Sequence, residues 1–130
     1  MKLRRVVVTG IGALTPIGNN KEEYWNALIR GVRGAAEITH FDASEYKTKF
    51  ACEVKGFDTL DHFDRKEARK LDLYAQYGMV ASDEALKDSG LELEKIDRNR
   101  AGVIWASGIG GSSTFYNEVY EFAKSGRDVP

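Results

Sequence analysis

The sequence predicts an α/β fold in which strands alternate with helices and pair in parallel. Three observations carry this. A β-branched run, Val6-Val7-Val8, stops abruptly at Thr9-Gly10. A second apolar run, 101–107, has Val103, Ile104 and Trp105 at its centre and ends in Gly108-Ile109-Gly110-Gly111. Between and after these runs, apolar residues recur at helical spacing.

The first run reads as a buried strand leading through a glycine turn to a helix. Asn20 is placed to cap that helix, with Glu23 as its reciprocal partner. Trp25, Leu28, Ile29 and Val32 then share one apolar face, and Gly31 and Gly34 stop the helix. Residues 35–49 read as irregular. Phe50, Cys52 and Val54 alternate with Ala51, Glu53 and Lys55, which predicts a half-exposed strand with Phe50, Cys52 and Val54 inward. Asp64 and Glu67 form a second capping pair. The long stripe that follows is Leu71, Ala75, Gly78, Met79, Ser82, Ala85 and Leu86, ending at Gly90. Its small residues predict that another element approaches closely. After the second buried strand at 101–107, Ser112 or Ser113 caps a helix carrying Tyr116, Val119, Tyr120 and Ala123, and Gly126 ends it.

Composition excludes several classes. With 19 Lys and Arg against 20 Asp and Glu, the net charge of −1 gives no footprint for bulk nucleic-acid binding. No apolar run reaches membrane-spanning length, and the valine run is too short for a secretory leader. A single cysteine rules out an internal disulfide and fits a reducing compartment, with the cytoplasm expected. Two core strands make a poor sheet, and the chain stops at 128–130 without a capping tail. The expectation is a segment of a larger domain.

The glycines at 10, 12 and 18 first suggest a dinucleotide site. That site needs a third glycine for helix–strand packing and a helix N-terminus beside the pyrophosphate. Thr15 and Pro16 stand there instead, so the glycines are expected to serve turns.

Cys52 is expected to be a small structural residue. Burial beside Phe50 and Val54 raises a thiol's pKa, and Glu53 does nothing to lower it. His40 and His62 lack ligand spacing and read as polar loop or cap residues, with no metal or cofactor expected. Arg65, Lys66, Arg69 and Lys70 are expected in the first turns of a helix, the end at which its dipole disfavours cations. Arg65 with Arg69, and Lys66 with Lys70, also repel at i, i+4. A solvated face is one reading of this cluster and a docking surface is the other.

The ordered motifs V-V-V-T-G-I-G-A-L-T-P-I-G-N, F-D at 41–42, T-K-F-A at 48–51, R-K-E-A-R-K-L-D at 65–72, Q-Y-G at 76–78, D-S-G-L at 88–91 and S-G-I-G-G at 107–111 resemble the β-ketoacyl-acyl-carrier-protein synthases. The elongating type II is the best match. The resemblance covers nearly the whole chain. It implies the amino-terminal part of a thiolase-like fold, layered α/β/α/β/α in the complete enzyme. It also implies an acyltransferase of fatty-acid biosynthesis, a cytoplasmic homodimer that joins acyl-enzyme to malonyl-carrier protein by decarboxylating Claisen condensation. Acyl carrier protein is the implied partner, with Lys66, Arg69 and Lys70 at the positions that meet its acidic helix. Ile109 stands where the family has an acyl-pocket wall, which suggests chain-length gating.

No catalytic residue is assigned, because the family's T-A-C-[ST] cysteine turn and its histidine motifs do not occur in these residues. The segment is therefore expected to be cut before the nucleophile region and inactive alone. The alternatives are a non-catalytic carrier-binding module, or a partner of the chain-length-factor type.

Overall fold

The computed structural model describes residues 3–126. In chain order it contains α1 (Lys21–Ile29), β1 (Ala35–Glu37), β2 (Phe50–Cys52), a 3₁₀ turn (Thr59–Asp61), α2 (Arg65–Ala68), α3 (Leu73–Ser89), a second 3₁₀ turn (Arg98–Arg100) and α4 (Ser112–Ser125). The unfinished end read at 128–130 lies outside the described residues.

The cap of α1 forms as its sequence dictates. Asn20 Oδ1 accepts from the Glu23 amide at 2.8 Å. The Glu23 carboxylate reaches back one residue further than expected and accepts from the Asn19 amide at 2.9 Å. Such a cap is worth about 1 kcal/mol. The helix ends before Gly31, whose φ of 65° only glycine adopts cheaply. The expected apolar face is not buried, however. Ala27 is the buried residue, while Trp25, Leu28, Ile29 and Val32 are all exposed.

The expected helix from residue 65 to residue 89 is two helices. Asp64 caps the single turn of α2, its Oδ1 accepting from the amides of Lys66 and Glu67 at 2.8 Å each. The chain then breaks, and Asp72 takes the cap position of α3. Gly90, at φ 63°, closes α3.

The helix α3 is the axis of the structure. Residues 10–13 run along it in the opposite direction. A β-carbon on Gly10 would overlap the backbone of Ala85 and Ser89, and one on Gly12 would overlap Ala81 and Ala85. Between these contacts, the Ile11 amide donates to Asp88 Oδ2 at 2.9 Å and the Ala13 amide to Glu84 Oε2 at 2.8 Å. Neither glycine has positive φ. They are required for space, so the turn role expected of them is corrected to close packing. On another part of α3, Trp105 lies against Gly78, and its Nε1 donates to the Tyr74 carbonyl at 3.0 Å. The small-residue stripe thus does admit a close neighbour.

The sheet departs from expectation. The strands β1 and β2 pair antiparallel, Ala35 opposite Cys52 and Glu37 opposite Phe50, so part of the segment read as irregular is ordered. The inward phase of β2 is the reverse of the expected one. Phe50 and Cys52 are exposed, while the Glu53 carboxylate is 12% exposed and accepts from the Thr39 hydroxyl at 2.7 Å. Likewise, 6–8 and 101–107 form no ladder and no parallel pair, and Val6, Ile104 and Val103 are 91%, 98% and 66% exposed. A strand exists through its neighbours' hydrogen bonds, and none of the described residues supplies them.

Burial is correspondingly thin. Ala27, Ala43 and Phe63 are the buried apolar residues among those described, with Gln76 the buried polar one. No described helix is long and apolar enough to cross a membrane.

Candidate functional site

The basic cluster occupies the break between α2 and α3. Arg65 and Lys66 lie within the four-residue α2, Arg69 is its C-cap, and Lys70 follows in the turn. This corrects the electrostatic expectation in part. Arg65 and Lys66 do stand in the first turn, directly after the Asp64 cap, whereas Arg69 and Lys70 fall at the carboxyl end, where the helix's partial negative charge favours them. All four are exposed, and none makes an ion pair with a described residue. Elsewhere, by contrast, Lys21 pairs with Asp88, Lys87 with Asp83 and Lys95 with Glu92. The nearby carboxylate of Asp64 is committed to capping amides. The patch therefore presents cations free of direct ion pairs, with the carboxylates of Asp64 and Glu67 among them.

Its backing is buried and polar. The Gln76 side chain, from α3, is 5% exposed. Its Nε2 donates to the carbonyls of Leu71 at 2.9 Å and Ala68 at 3.2 Å, and its Oε1 accepts from the Thr59 hydroxyl at 2.8 Å. Leu60, Arg65, Ala68 and Arg69 border a shallow notch beside it.

The second region is the glycine turn before α4. Ile109 is 85% exposed. It lines a cavity of about 400 Å³ with Asp72, Gly111, Ser112, Thr114 and Phe115. This turn is restrained on one side. The Gly110 amide donates to Ser107 Oγ at 2.9 Å, Gly110 has φ 76°, and Gly111 is packed directly on the Asp72 carboxylate. Gly108 has no neighbour within 4 Å of where a β-carbon would stand.

Neither serine caps α4. Gly111 is the cap residue, and the anion at that end is Asp72, which accepts from the Thr114 hydroxyl. A carboxylate beside the first turn of a 14-residue helix meets its exposed amide dipoles favourably. Asp72 and Gln76 are the two site residues that sequence reasoning missed. An Asp directly before the apolar start of α3 is itself a capping signal, and it marks the break that separates α2 from α3.

Of the remaining candidates, His40 borders the glycine-turn region, lining a cleft with Asp72, Gly110, Gly111, Ser112 and Thr114. Cys52 is exposed on β2, so the burial expected of it is absent. His40 is exposed, with its Nε2 3.9 Å from Glu53 Oε1. The Thr39 hydroxyl and amide hold that Glu53 carboxyl below its ordinary range. His62 closes the first 3₁₀ turn and stacks on Phe57 at 5.2 Å between ring centres, as a cap residue does. Phe57 meets Tyr77 edge-on at 5.0 Å, and burial pushes the Tyr77 phenol up. Among the described residues no three His, Cys, Asp or Glu side chains gather as a metal site would require.

The fold agrees with that of the known proteins that the chain resembles. The family model described as "Beta-ketoacyl synthase, N-terminal domain" matches residues 3–129, and the chain belongs to that family. A 3-oxoacyl-[acyl-carrier-protein] synthase 2 of Vibrio harveyi is 50% identical over 111 residues, covering 85% of this chain and 27% of the relative. One from Staphylococcus aureus (strain COL) is 46% identical over 112 residues, covering 86% and 27%.

Among solved structures, the ishigamide ketosynthase/chain length factor aligns with a TM-score of 0.71 at 29% identity, covering 95% of this chain and 30% of that one. A type II PKS acyl-carrier protein in complex with its ketosynthase bound to the hexaketide aligns with a TM-score of 0.71 at 28% identity, covering 92% and 30%. The fold is thus the amino-terminal portion of the ketosynthase, thiolase-like architecture. The chain spans about a quarter of the length of the curated relatives it matches (27%).

Proposed function

We propose that this chain is the amino-terminal part of an elongating 3-oxoacyl-[acyl-carrier-protein] synthase of cytoplasmic fatty-acid biosynthesis. The whole protein, a homodimer, joins an acyl-enzyme thioester to malonyl-carrier protein, with loss of carbon dioxide driving carbon–carbon bond formation. The identity of 46–50% to synthases of that name carries this reading. In it, the nucleophilic cysteine and the histidines lie outside these 130 residues, and Cys52 takes no part.

The role proposed for the residues in hand is docking and shaping. Lys66, Arg69 and Lys70 receive the acidic helix of acyl carrier protein. Their exposure without ion pairs supports this, because free cations on a rigid turn steer an acidic partner and select against others. Ile109 forms part of the acyl-pocket wall, and its place on a glycine turn beside a cavity supports that role.

The test uses the complete protein. Replacing Lys66, Arg69 and Lys70 together by Glu is expected to raise KM for carrier-borne substrate at least tenfold. Turnover of a carrier-free pantetheine thioester should not change. An unchanged carrier KM would remove the docking role.

A second reading keeps docking without catalysis, as in a chain-length-factor-like partner or a carrier-binding module. It draws on one structural neighbour, the ishigamide ketosynthase/chain length factor, but at 29% identity it has less support than the synthases. Condensation by the complete protein separates the two.

A further inference from the structure

We infer that Gln76 is a positioning residue for carrier docking: from beneath the surface it fixes the turn that presents Arg69 and Lys70. The inference rests on the docking role proposed above and adds the residue that organises it.

The geometry is specific. A four-residue helix cannot satisfy its own carboxyl end. In α2 the Lys70 amide reaches the Glu67 carbonyl at 2.9 Å, but the Leu71 amide reaches Ala68 only at 3.5 Å. The two carbonyls that bracket the turn, Ala68 and Leu71, are both taken by the one Gln76 amide group. Arg69 and Lys70 are the residues between them. The other end of the side chain accepts from Thr59, in the 3₁₀ turn that leads into α2. One buried amide therefore ties the turn on both sides to the long helix α3, with both donors and the acceptor used.

The residue type follows from this. Two carbonyls require two donors, and a hydroxyl requires an acceptor beside them. Among side chains of this length only glutamine offers that set without charge. Glutamate would present a carboxylate to two carbonyl oxygens, and methionine would fill the space with no bonds. In either variant the turn loses its tether while the cations keep their charge. Loose cations still attract an acidic partner but no longer hold a fixed pattern for it, so the cost falls on docking.

The complete protein is assayed with malonyl-acyl carrier protein and with the carrier-free pantetheine thioester. Gln76→Met and Gln76→Glu are expected to raise KM for the carrier-borne substrate about three- to tenfold, with kcat on the carrier-free substrate unchanged. Thr59→Val, which removes one of the three bonds and leaves α3 intact, should give a smaller shift of the same kind. It keeps the test available if a Gln76 variant fails to fold.

Equal losses on both substrates would make Gln76 a general structural residue and overturn the inference. So would an unchanged carrier KM in the Gln76 and Thr59 variants while the Lys66, Arg69 and Lys70 replacement still raises it. If that charge replacement also has no effect, the docking role itself is wrong and the inference goes with it.

Discussion

Gly12 lies so close to the carbonyl of Ala81 that a β-carbon there would overlap it. The opening glycines are therefore contact surfaces for α3, and this sets the first prediction. Gly12→Ala in the complete protein should lower stability by about 1–3 kcal/mol, because α3 cannot give way without moving its backbone. Chemical denaturation measures this. An unchanged midpoint would mean that residues 10–13 lift off α3 at no cost.

Asp88 gives a pH dependence. The hydrogen bond from Lys21, then that from the Ile11 amide, holds its carboxyl below the ordinary aspartate range. A depressed folded pKa contributes stability that is present above the unfolded value and lost as pH falls through the folded one. Wild-type protein should thus lose stability below about pH 4, and Asp88→Asn should lose less over that interval. Melting temperatures of both between pH 6 and pH 3 decide it. Parallel curves would contradict the assignment.

The basic turn should respond to salt. Exposed charge pairs are each worth about 0.2–1 kcal/mol and weaken as ions screen them. KM for acyl carrier protein should rise with sodium chloride in the wild type, and the slope should flatten when Lys66, Arg69 and Lys70 are neutralised. Equal slopes would count against an electrostatic contact.

Ile109→Phe tests the pocket wall. A larger side chain beside the glycine turn should shorten the acyl chains that the complete enzyme elongates, read from its product profile. A profile identical to wild type would rule out the gating role.

Residues 1–130 alone should not unfold cooperatively. The three buried apolar residues, two of them alanines, leave little to offset chain entropy. Exposed Val6, Ile104 and Phe115 should instead bind a hydrophobic dye and favour aggregation. A sharp thermal transition would show a self-sufficient unit.

Local signals were legible where the deciding atoms lie near one another in sequence. Asn20 and Asp64 cap their helices, Gly31, Gly90 and Gly126 close theirs at positive φ, and the motif order identifies the family. What failed depended on distant partners. The phase of β2 is set by which face other elements cover, and both Phe50 and Cys52 are exposed here. The strands at 6–8 and 101–107 need neighbours that the described residues lack. The break at 69–72 was hidden because an apolar stripe runs straight through it, and only Asp72 marks it. Gln76 could not be recognised in the sequence, because its three partners lie at 59, 68 and 71 and meet only once α2 folds back.

The run of residues 10–13 along α3 has a metrical consequence. Each advance of two residues in that segment, from Gly10 to Gly12 or from Ile11 to Ala13, answers a retreat of four in the helix. Two extended residues cover about 6.6 Å and four helical ones about 6.0 Å. The two scales work as a vernier. They coincide over one interval and drift by roughly half an ångström with each further one. Such a clip sets its own length. It holds the segment in one register, and it cannot be extended far along α3 without the paired carboxylates falling out of step with the amides they hold.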